Sequence, residues 1–261
     1  MKKIPVLLSI MALVFGISVT SAMATITYID TPIQETTGID TYQTTGGMMG
    51  GMKVTFSYLS GATSTQIWKK TNNHKGGVSV TAASGKLSLS LNGDSYLHNW
   101  KLKANKNFSD QVTSIFIDAG AGNAVFDVWK RPKGGTSGSL YGYPFTIKSW
   151  NGPKNVSIDA TYSGAVQLTG AIPVGDLYRY LQIDFTPITP VACLADNTDS
   201  YDDSYQASYF GAGMKLRFRA DTDSLKYEGD IGTVPEPSTI LLMGFGLLGL
   251  LGYSRKRLHK S

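Results

Sequence analysis

The sequence predicts an all-β protein: an antiparallel β-sandwich or jelly roll, with an N-terminal signal helix and a short C-terminal transmembrane helix. Three observations carry this. Apolar and polar residues alternate over several short stretches of the body, the period-two pattern of strands that bury one face and wet the other. Glycine-centred turn signals separate those stretches. Glycine, threonine, serine and tyrosine are abundant, and no long helical periodicity occurs in the body. A closed barrel is the alternative architecture. No exact internal repeat is found, which argues against a propeller.

The elements follow in order. "MKKIPVLLSIMALVFGISVTSAMA" has a positive start at Lys2 and Lys3, an apolar stretch from Ile4 to Val19, and a small-x-small end at Ala22-Met23-Ala24. This is the pattern of a secretory signal, removed by signal peptidase after Ala24. In "MKVTFSYL", Val54, Phe56 and Tyr58 recur at every second position, and Leu87, Leu89 and Leu91 do so in "KLSLSLNG". "SIFIDA" and "AVFDVW" read as short buried strands. Leu181, Ile183 and Phe185 alternate with Gln182 and Asp184, and Met214, Leu216 and Phe218 alternate with Lys215, Arg217 and Arg219. Turns are expected at Asn92-Gly93, Gly134-Gly135, Asn151-Gly152-Pro153 and Gly211-Ala212-Gly213. Roughly ten short strands at this spacing suit a sandwich. The expected division is 1–24 signal peptide, 25–233 sandwich domain and 234–261 tail.

The charge belongs to the ends. The whole chain has a formal net charge of +5, but residues 25–237 carry 18 basic and 19 acidic residues, Glu236 of the tail motif included, once Lys2, Lys3 and the tail cations are set aside. A near-neutral body gives no footing for a nucleic-acid partner.

Chemistry-bearing motifs are sparse. Cys193 is the only cysteine, so no disulfide can form within the chain; it reads as a buried thiol or a link between chains. His74 and His98 stand in different contexts and do not make a zinc site by themselves. HExxH, paired CxxC and GxSxG are absent. Only Glu35 and Glu228 precede the tail motif, and neither is marked as catalytic. The expectation is therefore a non-enzyme without a cofactor, except for candidate calcium ligands at Asp196, Asp199, Asp202 and Asp203 in "LADNTDSYDDSYQ". Closely spaced aspartates with asparagine and serine suit calcium's oxygen preference, although the spacing is not that of an EF-hand. "RADTDS" adds Asp221 and Asp223. Trp68, Trp100, Trp129 and Trp150 stack on sugars if exposed and belong to the core if buried. Lys69, Lys70, Lys75, Lys86, Lys101, Lys103 and Lys106 form a basic stretch interrupted only by Asp94. They suit an acidic polysaccharide, or edge strands protected by charge.

The chain closes with "VPEPSTILLMGFGLLGLLGYSRKRLHKS". Gly244, Gly246 and Gly249 match GxGxxG, but no acidic residue follows, as a dinucleotide site would require. The apolar run from Ser238 to Ser254 is 17 residues long, short for a membrane span of about 20. Arg255, Lys256 and Arg257 form a membrane stop. Pro235 and Pro237 hold the preceding segment extended, with Glu236 as its single charge.

A secretion signal, a Val-Pro-Glu-Pro-Ser motif, an apolar helix and a terminal basic cluster, in that order, resemble the PEP-CTERM sorting signal of exported Gram-negative proteins. The resemblance runs from Val234 to about Lys260, with Pro235, Glu236 and Pro237 as the naming motif. It implies transient anchoring in the inner membrane, processing by an exosortase-type enzyme, and delivery to the cell surface or outside the cell. "TYQTTGGMMGGMKVTF", residues 41–56, also resembles a segment near the N-terminus of some PEP-CTERM proteins. Its glycines read as a flexible lead into the first core strand, without a binding role. The role implied is structural or adhesive, in exopolysaccharide or biofilm. A carbohydrate-binding module acting on exopolysaccharide is the alternative, and a hydrolase without a recognisable motif is the third reading.

Overall fold

The computed structural model describes residues 24–36, 38–41, 43–82, 85–129, 135–136, 141–169, 175–188 and 209–225. The signal segment, Cys193, Asp196, Asp199, Asp202, Asp203 and the whole tail from Val234 lie outside these residues, Ala24 excepted. The first strands are β1 (Ile26–Tyr28), β2 (Pro32–Thr36), β3 (Ile39–Thr41), β4 (Lys53–Tyr58) and β5 (Thr63–Ile67). Then come β6 (Lys69–Lys70), β7 (Lys75–Ala82), β8 (Gly85–Asn92), β9 (Trp100–Ala104), β10 (Val112–Asp118) and β11 (Ala124–Asp127). The series ends with β12 (Thr146–Trp150), β13 (Val156–Leu168), β14 (Leu177–Pro187), β15 (Lys215–Arg219) and β16 (Asp221–Leu225). A 3-10 turn at Gly120–Gly122 is the one helical element among the described residues.

These strands form two sheets around one core. The ten-stranded sheet runs β3-β16-β11-β14-β10-β4-β5, with β13 beside β14 and both β1 and β2 beside β13. The six-stranded sheet runs β12-β15-β9-β8-β7-β6. Two stacked sheets rule out the single closed barrel. The expectation of antiparallel pairing needs a correction at one edge: β1 and β2 lie parallel to β13. The expectation of short strands also fails there, since β13 spans 13 residues and pairs with β14 along most of its length.

The inward residues of both sheets meet in a single apolar cluster. Leu87, Leu89 and Leu91 of β8 and Leu102 of β9 face Phe56, Ile115, Ile117, Leu181 and Ile183 of the other sheet within it. Trp100 stacks on Phe218 at 5.8 Å and lies 6.4 Å from Phe126 of the opposite sheet. Both Trp68 and Trp100 are fully buried, with ring centroids 5.2 Å apart. Each indole N–H finds a carbonyl, Trp68 on Gly46 and Trp100 on Ala220, both at 2.8 Å, so neither ring leaves a polar group orphaned. Truncating such a ring costs about 3–5 kcal/mol. Tyr162 of β13 ties the layers together, because its hydroxyl oxygen accepts the N–H of Phe145, which leads into β12, at 2.7 Å.

The glycine-rich stretch is packed, contrary to the expected flexible lead. A Cβ at Gly46 would lie 2.3 Å from the Leu91 carbonyl oxygen, and one at Gly47 would lie 2.1 Å from that of Asn72. Side chains are absent here because backbone approaches backbone. Met49 and Met52 are fully buried beside this contact, and only Met48 is exposed.

Candidate functional site

The two sheets differ sharply in charge. The strands of the six-stranded sheet carry ten basic residues and no acidic one. Those of the ten-stranded sheet carry two basic and eight acidic residues. Alternation sets the direction of the basic groups. In β9, Trp100, Leu102 and Ala104 enter the core, so Lys101 and Lys103 point to solvent. In β15, Leu216 and Phe218 enter the core, so Lys215 and Arg217 point out. The register places Lys103 opposite Lys215 and Lys101 opposite Arg217. Across the next strand pair, Ser88 stands opposite Lys103 and Ser90 opposite Lys101. None of these four cations has an ion-pair partner among the described residues; the ion pair found there, Arg179 with Asp118 at 2.9 Å, lies on the other sheet. Arg219 is held differently, with a nitrogen donating to the Leu97 carbonyl at 3.2 Å and its guanidinium over the Tyr143 ring at 4.7 Å.

A groove of about 470 Å³ opens on the same sheet, lined in part by Lys69, Lys75, Lys86, Ser79, Ser88 and Ser90. Of the basic stretch read in the sequence, Lys69, Lys75, Lys86, Lys101 and Lys103 thus share one sheet face and its groove, while Lys106 sits in the turn after β9. Lys215 and Arg217, far away in sequence, complete that face. The signal for them was present in the outward positions of the β15 alternation, but only the pairing of β15 with β9 joins them to the lysines.

The other candidates fare differently. Asp221 and Asp223 are not part of a solvated acidic loop: both are fully buried in β16. Asp221 stands directly opposite the equally buried Asp127. One Asp221 oxygen accepts the Ser95 hydroxyl at 2.7 Å and the Thr222 N–H at 2.8 Å. Burial, then the charges of Asp223 and Asp127, push its carboxyl well above the usual range against those two hydrogen bonds. Asp127 accepts the N–H of Trp129 at 2.9 Å. No group of three histidine, cysteine or acidic side chains among the described residues is arranged to hold a metal ion. The proposed calcium ligands Asp196, Asp199, Asp202 and Asp203 lie outside those residues.

His74 and His98 both lie in exposed turns, and the His98 ring sits 3.2 Å from the Asp94 carbonyl oxygen. A row of four exposed tryptophans is excluded, because Trp68 and Trp100 are core. Trp150 is half-buried against Phe185 and Phe210, and its N–H donates to the Pro153 carbonyl. Among the described residues no helix is long and apolar enough to cross a membrane; both apolar end segments lie outside them.

A two-sheet β-sandwich with one cationic, hydroxyl-rich face is the class that the fold and surface define. Its address is given by the tail: residues 233–257 match the PEP-CTERM protein-sorting motif. The chain therefore carries an exosortase-type sorting signal, which marks it for export with transient membrane passage and processing by a membrane enzyme. Pro235, Glu236, Pro237 and the Arg255–Arg257 cluster all fall inside the matched segment. No curated protein and no solved structure matches the chain.

Proposed function

We propose that this chain is a surface or extracellular-matrix protein of a Gram-negative cell, with a structural or adhesive and non-enzymatic role in exopolysaccharide or biofilm. The observation that carries this reading is the sorting motif at residues 233–257. Signal peptidase removes the leader after Ala24, and the tail then pauses in the inner membrane through its apolar run and basic stop. The β-sandwich supports the reading as a rigid body that presents broad sheet faces. Four cations on one such face, without an ion-pair partner among the described residues, favour the second reading, a carbohydrate-binding module acting on exopolysaccharide.

The test replaces Pro235, Glu236 and Pro237 with alanine and leaves Ile240 to Arg257 intact. Apolar length and charge stop are unchanged, so an anchor alone is unaffected. An address loses its extended form, because alanine favours helix. The expected result is an unprocessed chain accumulating in the inner membrane, read by fractionation and intact mass. Normal delivery of the triple variant, with wild-type processing, refutes the reading.

A further inference from the structure

The outer face of the six-stranded sheet has an arrangement that folding alone does not favour. Lys103 and Lys215 are directly opposite on neighbouring antiparallel strands, and so are Lys101 and Arg217. Directly opposed side chains have Cβ atoms about 4.5–5.5 Å apart, and like charges there are destabilising. Protection of a sheet edge explains Lys69 and Lys70 on β6 and Lys148 on β12, the two edge strands. It does not explain β9 and β15, which are interior strands with partners on both sides. All four cations are exposed, and none is ion-paired among the described residues.

We infer that this face binds an extended acidic polysaccharide, laid along the Lys101–Arg217 and Lys103–Lys215 rungs and into the adjoining groove. The inference deepens the second reading above and rests on export. Each rung continues into a hydroxyl: Ser90 beside Lys101 and Ser88 beside Lys103, then Ser79 opposite Ser88. Gly77, opposite Ser90, leaves the end of its rung open. The groove next to them adds Lys69, Lys75 and Lys86. The face thus alternates charged donors with hydroxyls on a lattice of about 4.8 Å between strands and about 6.8 Å along them. A polymer bearing repeated anions among many hydroxyls meets both kinds of group. A single-stranded nucleic acid needs aromatic platforms for its bases, and the outward positions of β8, β9 and β15 hold only serine, asparagine, lysine and arginine. An anionic membrane surface calls for apolar residues that insert, and these positions offer none.

The experiment uses the full-length chain in mild detergent and three immobilised probes: a polyuronate, uncharged dextran and duplex DNA. One variant carries Lys101→Ser and Arg217→Ser. A control carries Lys53→Ser and Lys154→Ser, which removes the same charge from exposed positions elsewhere. Wild type is expected to hold the polyuronate at low ionic strength, to release it at about 0.5 M salt, and to ignore dextran. The face variant is expected to bind about tenfold more weakly, since each lost charged contact is worth a few-fold, while the control changes less than about twofold. Its melting temperature is expected to stay level or rise, because a like-charge pair has gone; weak binding therefore cannot be ascribed to misfolding. Equal loss in both variants, no loss in the face variant, or equal binding to dextran overturns the inference. Duplex DNA binding more tightly than polyuronate at equal charge overturns the polysaccharide assignment. A chain that reaches the surface yet fails to bind polyuronate overturns this inference and leaves the sorting reading standing.

Discussion

Replacing Tyr162 with phenylalanine removes one oxygen and tests how the two layers are held together. Tyr162 is fully buried on β13, and its ring lies 5.8 Å from Phe126 and stacks on Tyr28 at 5.6 Å. Its oxygen accepts the Phe145 N–H at 2.7 Å, where the chain enters the six-stranded sheet. Burial raises the phenol pKa well above its ordinary value, with the Phe145 hydrogen bond opposing that shift, so the group stays neutral across the working range. Phenylalanine keeps the packing and leaves the Phe145 N–H buried without its acceptor. An orphaned buried donor costs about 1–3 kcal/mol, more than the modest net value of the bond itself. Taking about 2 kcal/mol, the melting temperature of a domain this size falls by about 4–8 °C. Thermal unfolding followed by circular dichroism reads this directly, with Tyr28→Phe as control because Tyr28 is 41% exposed; a shift within about 1 °C is expected there. A Tyr162→Phe variant that melts with wild type would refute the reasoning, since the N–H would then have another partner at no cost.

Two further outcomes are expected. The raised pKa of Asp221 means the folded chain binds its proton more tightly than the unfolded chain does. Its contribution to stability is therefore complete below the unfolded value of about 3.9 and is lost as pH rises through the folded value. Asp221→Asn should remove that decline, so urea-derived stabilities converge with wild type near pH 4 and exceed it near pH 8; parallel curves would contradict the assignment. If Asp196, Asp199, Asp202 and Asp203 bind calcium, chelation should lower the melting temperature by mass action, and an unchanged melt across a thousandfold calcium range removes them as ligands.

Local pattern made much of the sandwich legible. Val54, Phe56, Leu87, Leu89, Leu181, Ile183, Leu216 and Phe218 lie inside as their alternation requires, because a strand's two faces are set by its own period of two. The Asn92-Gly93 turn is also local, with Gly93 at a φ of 103°, which few other residues adopt. β5 was illegible because "TSTQI" is polar on both faces and holds its place by pairing with β4. β16 read as an acidic loop because "DTDSL" is unlike a core strand, yet its neighbours β11 and β3 bury it. Whether a tryptophan is core or surface likewise depends on what the opposite sheet brings to it, as Phe126 does for Trp100.

The sorting tail is the opposite case. Its proline motif, apolar run and basic stop act in linear order, so the sequence by itself determines it. The cationic face was assembled by tertiary structure, which joins Lys215 and Arg217 to the lysines of the basic stretch. Near-neutral composition conceals it, because the strands that gather into the six-stranded sheet hold ten cations and no acid, while those of its partner hold eight acids and two cations. Lys101 and Arg217 become neighbours only when β15 docks on β9 in one register. Hydrophobic burial of Leu102, Leu216, Trp100 and Phe218 on the inner side fixes that register, and it carries the opposed charges with it on the outer side.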